Sequence, residues 1–271
     1  MSDATAADTS ARPQHLIITV FGIYARTRPV AVADLISLMA DLGVEPGAVR
    51  STVSRLKGRG MLISTRTGGI AAYRLSDALE SVYAAGDRRI FAQQRAQPTS
   101  PWLLASFTVP ERERPVRHRL RSLLTQLGFG QVNGGLWIAP GHVLDEARAA
   151  LAERGLAGYV DLFLGTHVNN ERATQQLAQW WDLPAIAARY QEFLATHGGA
   201  LRQPASGASA FSTYVSAITA WRRFPYLDPG LPLAALPAQW PGIAAEALFH
   251  AIHDRFSVAA AEYADTRLTL R

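Results

Sequence analysis

The sequence predicts an α+β multidomain chain of 271 residues, with two mixed parts followed by an all-helical one. Three observations carry this. Near the N-terminus two amphipathic helical patterns are followed by two short β-prone runs around Thr67-Gly68-Gly69. The middle alternates strand and helix signals in the order βαββαβ. The last part holds only helical patterns, punctuated by Pro-rich turns. The corresponding division is a disordered tail over 1–13, a first domain over 14–96, a middle domain over 97–170 and a C-terminal domain over 171–271.

In the first domain, His15–Arg26 (HLIITVFGIYAR) is apolar enough for a core helix. Ala33–Leu42 repeats apolar residues at Leu35, Leu38, Met39 and Leu42, as one helix face requires. Gly43 then suits the left-handed turn after a helix, and Pro46 suits the first turn of the next. In that next helix Val49, Thr52, Val53 and Leu56 share one face, and Arg50, Ser51, Ser54, Arg55 and Lys57 share the other. Gly58 and Gly60 end it, with Arg59 between them. Met61–Arg66 and Ile70–Leu75 read as a hairpin that carries Arg66 and Arg74. A helix, a short turn, a second helix and a basic hairpin together make a winged helix-turn-helix. An outer helix face of Arg, Lys and Ser without an acid is rare for a purely structural helix. Arg can hydrogen-bond guanine edges through two nitrogens, and Ser and Lys can reach bases or phosphates. The candidate DNA-contacting residues are therefore Arg50, Ser51, Ser54, Arg55, Lys57, Arg59, Arg66 and Arg74. A winged helix that binds protein is the other reading of the same pattern. A further helix follows from Ser76-Asp77 to about Gln94, with Leu79, Val82, Tyr83, Ile90 and Phe91 as its apolar residues.

Charge placement agrees with contact to phosphates. The chain carries a formal +5. Residues 12–95 hold 12 Arg and Lys against 6 Asp and Glu, whereas residues 96–271 hold 15 against 14. The excess therefore sits in the first third.

In the middle domain, Trp102–Val109 reads as a strand and Glu111–Leu127 as a basic helix. Phe129–Val132 and Leu136–Ala139 read as strands around Asn133-Gly134-Gly135, Asp145–Arg154 as a helix and Tyr159–Leu164 as the last strand. This is the ferredoxin-like order, which many functions share. A metal-dependent nuclease on this fold would want a carboxylate at the end of the first strand. LLASFTVP has none, and Asp161 has no obvious carboxylate partner. A dimerisation or spacer module fits better.

The C-terminal domain contains Trp221-Arg222-Arg223-Phe224, with Tyr226 close behind. Two cations beside aromatic rings are suited to an anionic aryl ligand, so Trp221, Arg222, Arg223 and Tyr226 are candidate effector-binding residues. The structural alternative has Arg222 or Arg223 pairing with Asp228 while the rings fill the core. His250 and His253 lie three apart on one helix, but spacing indicates no third ligand, so no metal is assigned.

Composition narrows the functional classes. There are no cysteines, which excludes a disulfide scaffold, a thiolate zinc site and a cysteine nucleophile. The opening MSDATAADTSARP has neither the basic residues nor the apolar run of a secretory signal, and a cytoplasmic location is expected. No phosphate-binding loop, dinucleotide fingerprint, nucleophile elbow or zinc-protease pattern occurs. The expectation is a non-enzyme without a cofactor; a metal-dependent nuclease and a non-DNA scaffold are the alternatives.

Five strings then carry a family resemblance: GVEPGAVRSTVSRLKGRGML, AYRLS, PWLLASFTVPE, LGFGQVNGGLWIAP and WRRFPYLDPGLPLAALPAQWPG. The chain resembles the PaaX family of bacterial repressors from about His15 to its last helix. The resemblance implies a winged helix-turn-helix, a ferredoxin-like domain similar to a CRISPR-adaptation nuclease subunit without its activity, and a helical C-terminal domain. It implies a homodimer on partly palindromic double-stranded operator DNA, repressing a catabolic operon. It also implies release by an aryl-coenzyme A thioester, phenylacetyl-CoA or another acyl-CoA. It places the DNA role on Arg50, Ser51, Ser54, Arg55 and Lys57.

Overall fold

A computed structural model describes residues 3–91, 94–166 and 173–270, with side chains described from residue 13 onward except at 81, 82, 85, 173 and 174. Val82 therefore lies outside the described side chains, as do those of the first twelve residues.

The chain runs through α1 (Asp3–Tyr24), β1 (Val30–Ala31), α2 (Val32–Ala40), α3 (Pro46–Gly58), β2 (Leu62–Thr67), β3 (Ile70–Leu75) and α4 (Glu80–Phe91). Next come β4 (Trp102–Ser106), α5 (Arg114–Gln126), β5 (Gly130–Gln131), β6 (Leu136–Pro140), α6 (Leu144–Glu153) and β7 (Asp161–Gly165). The remainder is helical: α7 (Ala173–Trp180), α8 (Leu183–His197), α9 (Gly207–Trp221), α10 (Phe224–Leu227) and α11 (Pro241–Arg267). No described helix is long and apolar enough to cross a membrane.

Two compact units result, and they cut across the three successive segments expected from the sequence. One unit holds Met1–Gly86, Phe193–Trp221 and Ala244–Arg271; the other holds Asp87–Glu192 and Arg222–Ile243. The C-terminal third is thus shared between them. The physical reason is burial: α1 is packed by α9 of the C-terminal third as well as by α2 and α3.

In the first unit, Leu16, Ile17, Val20 and Phe21 of α1 are buried with Leu35, Leu38 and Met39 of α2 and with Val49, Val53 and Leu56 of α3. Tyr24 meets Phe211 of α9, with centroids 5.7 Å apart, and the Thr219 hydroxyl donates to that of Thr19 at 2.9 Å. Trp221 stacks on Phe249 of α11 at 4.7 Å and 9°. The end of α11 is tied back to α2: the Tyr263 hydroxyl donates to Asp41 at 2.8 Å, Arg267 donates to the Ser37 hydroxyl at 3.1 Å, and Thr269 donates to Asp34 through its amide and its hydroxyl, each at 2.8 Å. A three-stranded antiparallel sheet in the order β1-β3-β2 completes the unit. Pairing of Thr67 with Ile70 leaves a two-residue hairpin turn, Gly68-Gly69, with φ of +58° and +83°. Two consecutive positive φ values are what a type I′ turn needs, and glycine adopts them at little cost.

The second unit contains the expected βαββαβ order. Its sheet is antiparallel, with strands in the order β5-β6-β4-β7. The first strand is thus central, as in ferredoxin-like sheets. Leu103, Ala105, Trp137 and Ala139 face Leu120, Leu123 and Leu124 of α5 and Ala147 and Leu151 of α6 in one apolar cluster. The strands are shorter than the sequence indicates: β4 stops at Ser106 and β7 starts at Asp161.

Candidate nucleic-acid interface

The geometry of α3 follows from its sequence. Pro46 occupies the first turn, where its missing N–H costs nothing. Val49, Thr52, Val53 and Leu56 are buried, from 0 to 3% exposed, which fixes the helix against α1 and α2. That burial turns Arg50, Ser51, Ser54, Arg55, Lys57 and Arg59 outward, and all six are exposed. Arg55 donates to the Thr52 hydroxyl at 3.1 Å and Ser51 to the Ala48 carbonyl at 3.1 Å. α3 itself carries no carboxylate; Glu45 stands at its N-cap. The face is a line of cations and hydroxyls on a rigid helix.

The hairpin adds an exposed Arg66 near its tip. It also exposes Ile63 and Ile70, at 37% and 49%, which the sequence reading passed over as strand-forming residues. Their signal was the alternation itself, since Ile63 sits outside the buried period set by Leu62. Arg74 differs from Arg66. Its guanidinium grips Asp77 through two nitrogens at 2.6 and 3.2 Å and donates to the Leu75 carbonyl at 3.1 Å. Those hydrogen bonds, and then the guanidinium's charge, hold the Asp77 carboxyl below its usual range. Arg74 thus braces the hairpin's root. Beside it lies an open cavity of about 330 Å³ lined by Arg26, Arg74, Asp77, Glu80, Leu79 and Tyr83 among others. Its charges are of both signs and select no class of ligand.

The four candidate effector residues are divided between the units. Trp221 belongs to the first, where it is 1% exposed between Phe249 and Phe193. It fills the core there. Arg222, Arg223 and Tyr226 belong to the second. Tyr226 lies under the Arg89 guanidinium at 4.6 Å, and Arg223 is exposed. Arg89 also pairs with Glu146 at 2.6 Å and donates to the carbonyls of Pro225 and Leu127 at 3.0 and 3.1 Å. Asp228, fully buried, is engaged by Arg95 through two nitrogens at 3.4 Å each. The Tyr190 hydroxyl donates to the same carboxylate at 3.2 Å, and the amides of Gly230 and Leu231 donate at 3.1 and 3.2 Å. Arg95, which sequence reasoning did not connect to Asp228, is separated from it by 133 positions.

Among the described residues no cluster of three or more potential metal ligands occurs. His253 shares a hydrogen bond with the Tyr214 hydroxyl at 2.9 Å, and burial lowers its pKa. Asp161 is exposed and stands opposite Ser106 in the sheet.

The two units thus define an α+β protein whose middle domain has ferredoxin-like strand order. Three family models match it in succession: PaaX-like protein over residues 12–79, PaaX protein central Cas2-like domain over 95–178, and PaaX-like protein C-terminal domain over 181–266. The chain belongs to the PaaX family. It is similar to the transcriptional repressor PaaX of Escherichia coli (strain K12), at 25% identity over 256 residues that cover 90% of this chain and 80% of that protein. In structure it is similar to the uncharacterized protein Rv0674 from Mycobacterium tuberculosis, with a TM-score of 0.60, 25% identity, and coverage of 92% of this chain and 96% of that one.

Proposed function

We propose that the protein is a dimeric transcriptional repressor whose first domain is a winged helix-turn-helix, with α3 lying in the major groove and the β2–β3 hairpin as the wing. The observation that carries this is the acid-free outer face of α3, held outward by its buried stripe. The likeness to a named transcriptional repressor supports the same role. Arg50 and Arg55 are the base-reading or phosphate-binding arginines. Ser51, Ser54, Lys57 and Arg59 complete the contact, Arg66 meets the backbone from the wing, and Arg74 keeps the wing's root in place. A dimer sets two such helices one helical turn, or a multiple, apart on double-stranded operator DNA.

The effector is an aryl-CoA thioester such as phenylacetyl-CoA, with Arg222 and Arg223 supplying charge for its phosphates. Release requires that it bind the DNA-free form more tightly than the DNA-bound form. The test is an electrophoretic shift of the promoter DNA upstream of the protein's own gene, with phenylacetyl-CoA titrated in. The wild type is expected to bind and then release. A variant carrying Arg222→Ala and Arg223→Ala is expected to bind equally and to need at least tenfold more thioester, as loss of about 1.4 kcal/mol of charge-assisted binding gives. Unchanged release in that variant removes the arginine pair from the effector site. Absence of any salt-sensitive shift by the wild type removes the DNA-binding role.

A further inference from the structure

We infer that the outer face of α5 is a second, sequence-neutral site for double-stranded DNA, in which Arg114, Arg119 and Arg121 bind backbone phosphates. This rests on the DNA-binding reading above and adds to it a surface outside the first domain, within the unit built from residues 87–192 and 222–243.

One apolar stripe holds α5. Leu120, Leu123 and Leu124 are buried in the cluster of the second unit, and Val116 packs against it. That burial turns Arg114, His118, Arg119, Arg121, Ser122 and Thr125 outward, and each is exposed. The helix carries four arginines and no Asp or Glu. The two acids just before it are already engaged: Glu111 pairs with Arg117 at 2.8 Å and Glu113 with Arg112 at 3.4 Å. Arg121 donates to the Gln131 side-chain oxygen at 3.1 Å, a neutral partner. At the far end of α5, Arg154 donates to the Gln126 side-chain oxygen at 3.1 Å and adds another exposed cation. Among the described residues, no carboxylate pairs with Arg114, Arg119 or Arg121.

Such a face works against its own helix. Arg114 and Arg117 are three positions apart and Arg117 and Arg121 four, spacings at which like charges destabilise a helix. All four arginines fall between Arg114 and Arg121, in the half of α5 where the macrodipole disfavours positive charge. A bound polyanion relieves both effects. Arginine at each position, with no lysine, supplies a planar fork that meets phosphate oxygens through two nitrogens. From Arg114 to Thr125 the face runs about 16 Å at about 1.5 Å per residue, long enough to meet several phosphates. At 3.6 residues per turn, Arg119 and Arg121 stand about 160° apart around the axis and straddle Arg114 and His118. Cations spread so widely address the phosphates that border a groove and not the bases within it. The face also selects the duplex. None of its exposed side chains is aromatic, so the bases of a single strand would have nothing to stack on.

The experiment titrates the full chain with the promoter DNA upstream of its own gene, with a duplex of unrelated sequence, and with one strand of that duplex, each over a range of salt. R114A/R119A/R121A is expected to weaken both duplexes alike, by about tenfold or more at physiological salt. Its log–log salt slope should become shallower by about 0.9 for each arginine that meets a phosphate. Its preference for promoter over unrelated DNA is expected to keep the wild-type value, because α3 is untouched. R114K/R119K/R121K keeps the charge and is expected to keep the wild-type slope, a rescue that a merely structural role would not show. In circular dichroism melts the alanine variant is expected to unfold no lower than the wild type, since relief of like-charge repulsion and the helix propensity of alanine both favour α5. The slope reads α5 and the promoter preference reads α3, so the two can fail separately. Wild-type affinity and slope in the alanine variant, a loss confined to promoter DNA, a lysine variant as weak as the alanine one, or equally tight arginine-dependent binding of the single strand would each overturn the inference.

Discussion

Asp228→Ala is expected to destabilise the unit built from residues 87–192 and 222–243 by about 3–5 kcal/mol, the usual cost of removing one partner from a buried ion pair. The carboxylate has no exposure and gathers donors from three places in the chain: Arg95, the Tyr190 hydroxyl, and the Gly230 and Leu231 amides. Truncation leaves a guanidinium with only 17% of its side chain exposed facing an empty site, and it orphans two amides that water reaches poorly. The turn that holds Asp228 is equally constrained. Gly230 has φ +80°, and a Cβ there would lie 2.0 Å from the Gln94 carbonyl oxygen. Its own carbonyl accepts from the Ala96 amide at 2.8 Å. Tyr190 also stacks on Phe224 at 4.3 Å and 8°, so loosening Asp228 loosens α10. Asp228→Asn keeps an acceptor for the amides and is expected to cost less. Thermal melts followed by circular dichroism check this: Asp228→Ala should lower Tm on the order of 10 °C. A melt that coincides with the wild type's would mean that the pair contributes little and that the turn is held by packing alone.

The second large effect is expected at Ser54. This residue lies midway along the exposed face of α3, flanked by Arg50, Ser51, Arg55 and Lys57. Ser54→Asp should leave the fold intact, because the side chain is solvated and the buried stripe of α3 is untouched. On DNA the new carboxylate would be pressed against phosphates or acceptor-rich base edges and desolvated without a partner. Such a misplaced charge costs roughly 2–5 kcal/mol. Affinity for promoter DNA should therefore fall by more than tenfold, with an unchanged melting curve. Retained affinity would place the DNA on another surface.

The parts of the fold that local patterns control were legible in the sequence. Burial of Val49, Thr52, Val53 and Leu56 follows from spacing alone, and so does the outward turn of the cations. The Gly68-Gly69 turn and the βαββαβ order are equally local signals. Long-range pairing was not legible. β1 is two residues long and exists only because β3 pairs with it. The division of the C-terminal third between two units depends on which apolar faces meet, as α9 meets α1, and no period in the sequence encodes that. Arg95 finds Asp228 through a fold-level approach of distant segments. Within the candidate interface, Arg74 is offered as a DNA contact because its hairpin is basic. Asp77, three residues on, was the available sign that it is paired. At Trp221 the same aromatic–arginine string serves two purposes: the ring completes a core, and the arginines that follow belong to the other unit.

The most direct test of the central claim is a quantitative titration of operator DNA and of unrelated DNA with wild type and Arg50→Ala. If α3 reads bases through Arg50, the variant loses about 1–3 kcal/mol on the operator while its affinity for unrelated DNA changes much less. Equal loss on both DNAs would make Arg50 a phosphate contact only. Wild-type affinity on both would contradict the placement of α3 against DNA.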